Sequence, residues 1–106
     1  MKVLAGLGLA DTLAPRLRTF PNGATAMAAL AQAPEAGAVG CTQVTEILFT
    51  PGVRLTGLLP PPYELATTYT AAVTARAKEP ALGAELVAAL SAAEAAGARR
   101  QCGFED

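Results

Sequence analysis

The sequence predicts an α/β fold: a short parallel sheet with flanking helices, one long crossover strand and two closing helices. Three observations carry this expectation. The order strand, polar turn, helix occurs twice before residue 50, first through Arg18–Phe20 and the alanine-rich run that follows, then through Ala38–Cys41 and Thr42–Leu48. Residues 63–75 alternate at the two-residue period of a strand. Leu82, Leu86, Val87 and Leu90 recur at helical spacing near the end.

Taken in order, Lys2–Leu7 is apolar and helix-compatible, and Gly8 with the segment to Leu17 reads as a helix end and a turn. After the strand candidate Arg18–Phe20, Pro21-Asn22-Gly23 breaks the chain before a helix over Ala24–Ala33, with Met27 and Leu30 on one face and Asn22 as its N-cap. The Pro34–Gly37 turn leads to Ala38–Cys41, a short buried strand candidate, and to a helix over Thr42–Leu48 capped by Thr42. Pro51-Gly52 turns the chain into Val53–Leu59, again strand-like, and Pro60-Pro61-Pro62 makes a stiff connector. The alternation of Tyr63–Ala75 then reads as one long strand, or two in line. Pro80 opens the next helix, Ser91-Ala92-Ala93-Glu94 has the pattern of a capping box, and Gly103 stops a last helix near Gln101.

Composition narrows function. With 106 residues and 52% apolar side chains the chain has the size of one domain or a fragment of one, with ample material for a core, in which the leucine stripe belongs. Aromatic residues are only 5%, so packing relies on close approach of small side chains. A net charge of −1 without any basic run leaves no footprint for nucleic acid or an anionic membrane surface. No apolar stretch reaches the roughly 20 residues of a membrane span, and Met1–Pro15, with too short an apolar core and no proper cleavage region, is not expected to act as a secretory signal. The chain has no histidine, which excludes Ser-His and Cys-His catalysis within it; no catalytic residue, metal ligand set or cofactor is expected.

Two strand-to-helix turns in one parallel sheet direct their helix N-termini to the same edge, where a small anion would sit. Thr42 reads either as a hydroxyl facing such an anion or as an ordinary cap, and Gly40 as room for a ligand or for a tight turn. Tyr69 is either a ligand hydroxyl or a strand aromatic. Cys41 is either a thiolate activated by a helix N-terminus or a small buried residue, and a bridge to Cys102 is open but not implied.

The ordered set of local motifs resembles the last part of molybdate-type solute-binding proteins, which have the type 2 periplasmic binding fold. The resemblance runs through Lys2-Val3-Leu4, Gly8–Asp11, Ala14–Leu17, Pro21–Ala26, Gly37–Gln43, Gly57–Pro60, Tyr69–Val73, Ala92–Ala95 and Cys102-Gly103-Phe104. It implies a three-layer second lobe over about residues 1–62, an interlobe crossover strand over about 63–76 and C-terminal helices over about 77–106, together one C-terminal fragment or domain. It also implies an oxyanion or small solute held by Val39, Gly40, Cys41, Thr42, Gln43 and Tyr69, an ABC importer membrane component as partner, and a periplasmic location given an upstream signal peptide. Most of the first lobe is expected outside this chain, leaving at most half a cleft. The alternative is a homo-oligomeric structural or interaction module of the same descent.

Overall fold

The apolar runs that end in glycine become helices, and their ends are set by local backbone bonds. In the computed structural model, which describes residues 2–105, helix α1 covers Lys2–Gly6. It closes with Gly8 in the left-handed region (φ 68°), with Gly8 N–H donating to Ala5 O at 3.0 Å and Leu9 N–H to Leu4 O at 2.8 Å. This paired closure satisfies carbonyls that the helix itself cannot, and it needs a residue without Cβ at its centre. Helix α2 (Ala10–Leu13) runs into a single 3₁₀ turn, Ala14–Arg16.

Helix α3 covers Gly23–Ala31. Asn22 caps it as expected: its extended backbone brings Oδ1 to accept from Thr25 N–H at 2.8 Å and from the Thr25 hydroxyl at 2.9 Å. Such a cap is worth about 1 kcal/mol. Met27 on this helix is only 2% exposed and forms the core of the first of two units, Met1–Leu65. Helix α4 (Val44–Phe49) packs on α3 and starts two residues later than expected. Gln43, not Thr42, occupies its cap position, and no side chain caps it.

The second unit, Ala66–Asp106, carries α5 (Pro80–Ser91), a 3₁₀ turn at Ala93–Ala95 and α6 (Ala96–Gln101). Pro80 sits in the first turn of α5, where its missing N–H costs nothing. The capping box does not form. The Ser91 hydroxyl donates back to Val87 O at 2.9 Å, and the Arg99 guanidinium instead closes the end of α5 through Leu90 O and Ala92 O, both at 2.9 Å. Cationic donors at a helix C-terminus suit both its orphan carbonyls and its dipole. Gly103 (φ 89°) ends α6 with the same paired closure as Gly8, Phe104 N–H reaching Arg99 O at 3.0 Å.

The α/β expectation is overturned: among the described residues there is no strand and no sheet. Arg18–Phe20, Ala38–Cys41, Val53–Leu59 and Tyr63–Ala75 are irregular or turn. Alternation sorts side chains onto two faces, but a strand exists only when a second backbone completes its ladder and one face is buried. Neither condition is met: Leu65, on the face shared with Tyr63 and Tyr69, is 87% exposed. The leucine stripe of α5 departs from expectation too, with Leu82, Leu86 and Leu90 at 60, 61 and 54% exposure. The half-buried side of α5 carries Gly83 and Val87, and the Val73 methyls stand 3.2 and 3.3 Å from where a Gly83 Cβ would be.

Candidate functional site

Five of the six expected contact residues form one loop between α3 and α4. A turn at Glu35–Gly37 leads into it, with Gly37 left-handed (φ 85°) and Ala38 N–H donating to Glu35 O at 3.3 Å. Arg18 pairs with Glu35 at 2.8 Å, but both ends are solvent-exposed and the pair adds little. Val39 is 88% exposed, and Gly40 and Cys41 are exposed with it. Cys41 is therefore not the small buried residue that one reading allowed, and both it and Cys102 are free thiols.

Gly40 explains how an exposed loop is held in place. A Cβ there would stand 2.5 Å from Met27 Cε and 2.9 Å from Leu30 Cδ2. The bare backbone thus lies directly on the core residue of α3. The backbone N–H groups of Val39, Gly40 and Cys41 bond to no described residue. In an exposed segment such groups are open to solvent or to an acceptor-rich ligand.

Thr42 is half-buried, and its hydroxyl donates to Glu46 Oε2 one turn along. Its donor is spent on a carboxylate within the protein, which sequence reasoning did not anticipate. A pairing at spacing i, i+4 across a helix start was available as a signal. Gln43 accepts through its carbonyl from Glu46 N–H at 3.1 Å and Ile47 N–H at 3.3 Å, starting α4. Tyr69 belongs to the second unit, where its ring meets Phe104 edge-on at 5.4 Å and 78°.

A cleft of about 220 Å³ adjoins the loop, with Leu30, Ala38, Gly52, Val53 and Arg54 among its walls. Arg54 makes no ion pair among the described residues, and Glu35, which pairs with Arg18, lines the same cleft. Sequence reading had placed Arg54 on a strand and missed it. Among the described residues no three acidic or cysteine side chains gather as a metal site, and no single helix is long and apolar enough to cross a membrane.

No curated protein and no solved structure matches the chain. The model of the family described as bacterial extracellular solute-binding protein matches residues 1–105, and the chain belongs to that family.

Proposed function

We propose that the loop Val39–Gln43 supplies backbone donors to an oxyanion-like small solute. The coarse role follows from family membership: a solute-binding, non-enzymatic component of an ABC-type uptake system, acting in the periplasm or outside the cell. The family covers solute binders at large, so the molybdate-like ligand rests on the motif resemblance and on the site chemistry. The observation that carries it is the run of three N–H groups at Val39, Gly40 and Cys41 that bond to no described residue, next in the chain to Ala38, which lines a cleft with Arg54 and Glu35. Backbone donors in series, with one cation nearby, suit a compact anion with several acceptor oxygens. Tyr69 is proposed as a solute contact on the resemblance alone.

Calorimetric titration with molybdate, tungstate and sulfate tests the reading. An open loop leaves its ligand wet, so affinity for the 106-residue chain is expected near the millimolar range. Cys41→Pro deletes one donor and should weaken binding about tenfold while the helical signal is retained. Heats indistinguishable from dilution with all three anions would remove the oxyanion reading.

A second reading, a homo-oligomeric module, is favoured by the exposed stripe Leu82, Leu86 and Leu90. Charge is nearly absent from α5, where Glu85 is the one ionisable side chain, so the helix lacks the polar face of a solvated surface helix. In antiparallel pairing of two copies about a twofold axis, Leu82 would meet Leu90 of the other copy and Leu86 would lie at the centre. Sedimentation equilibrium should then report a dimer that Leu86→Glu converts to monomer. A monomer at high concentration before any substitution would refute the dimer.

A further inference from the structure

Helices α3 and α4 meet at a point where no side chain fits. A Cβ on Gly23, the first residue of α3, would fall inside contact distance of both Thr42 Oγ1 and Glu46 Oε2, and within 2.5 Å of Glu46 Cδ. The Glu46 carboxylate and the Thr42 hydroxyl are hydrogen-bonded to each other and together cover this bare stretch of backbone. Asn22 already caps the helix, and the pair is seated against α3 by close packing on Gly23.

We infer that Glu46 is the positioning residue of the Val39–Thr42 loop and also sets the charge against which an anionic solute must bind. The first part follows from connectivity. Thr42 is the residue after Cys41, so the carboxylate that holds its hydroxyl pins the loop at its α4 end, while Gly40 on Met27 pins it at the middle. The second part rests on the oxyanion reading proposed above. A carboxylate bonded to the residue adjoining three exposed donors opposes any anion that those donors accept. Replacing it by a neutral acceptor of the same shape preserves the bond from Thr42 and removes the opposition. This is a moderating device suited to a protein that must release what it binds.

Two sets of variants of the full chain test this. For positioning, Gly23→Ala should lower the melting temperature in the parent and do so much less when Thr42→Ala and Glu46→Ala have together removed the two side chains that the new methyl would meet. Equal losses in the two backgrounds would overturn the inference, because they would mean that the Thr42–Glu46 pair does not occupy the Gly23 surface. For charge, Glu46→Gln should leave the melting temperature near that of the parent and tighten sulfate binding about fivefold at low ionic strength, the order of effect of one unit charge beside a wet loop. The difference should vanish in about 1 M sodium chloride, where screening extends to roughly 3 Å. A purely structural role for Glu46 would give no such salt dependence, and equal sulfate affinities at low salt would overturn the charge assignment. If neither protein binds sulfate, molybdate or tungstate while the coupling of Gly23 to the Thr42–Glu46 pair persists, the oxyanion reading fails and the positioning role stands.

Discussion

Met27→Ala is expected to destabilise the first unit by about 2–5 kcal/mol, the largest effect of any single truncation in this chain. Met27 is the buried hydrophobic residue of the described chain at 2% exposure, and it lies under the loop as well as within α3. Removing its thioether takes away the surface on which Gly40 rests and leaves a void bordered by Leu30. The loss should fall toward the lower end, because the surrounding residues are half-exposed and can close into part of the space. Urea melts followed by far-ultraviolet circular dichroism measure it directly. Met27→Leu conserves volume and should cost less than about 1.5 kcal/mol, so a similar loss for both variants would show that Met27 acts by something other than packing.

Gly40→Ala is expected to cost about 1–3 kcal/mol, because its methyl would enter space held by Met27 Cε and Leu30 Cδ2. Both obstacles are the ends of flexible side chains, so the loop should lift from α3 without unfolding it. Sulfate binding should weaken with that displacement, since the donors at Val39 and Cys41 flank the substituted residue. The diagnostic measurement is the combination with Met27→Ala. The void left by the truncated side chain admits the new methyl, so the double variant should be more stable than the sum of the single losses predicts. Simple additivity would show that Gly40 and Met27 are not the coupled pair described above.

The loop that bears the candidate site was legible in the sequence as a segment, though not in its geometry. Gly37–Gln43 stood out as a strand-to-helix turn and through the motif resemblance, and the segment falls between α3 and α4. Its reading as a buried strand leading into a Thr42 cap failed on contacts remote in sequence. Gly40 is shaped by Met27, thirteen positions earlier by the numbering, and Thr42 is taken by Glu46, whose place against Gly23 no local pattern encodes. Arg54 escaped notice for the same reason: only the folding of Val53 and Gly52 beside Leu30 puts it at a cleft.

What the sequence by itself determined is the helical punctuation. Asn22 at the start of α3, Pro80 at the start of α5, and Gly8 and Gly103 past the ends of α1 and α6 all act through bonds spanning at most five residues, which the chain specifies wherever it folds. The absence of histidine was equally final, since no arrangement of the backbone supplies a missing imidazole. Only the tertiary structure decided whether alternating segments became strands, whether the α5 leucines were buried, and which acceptor the Thr42 hydroxyl took. Each of these depends on what lies opposite a residue in space, and periodicity describes one surface without naming its partner.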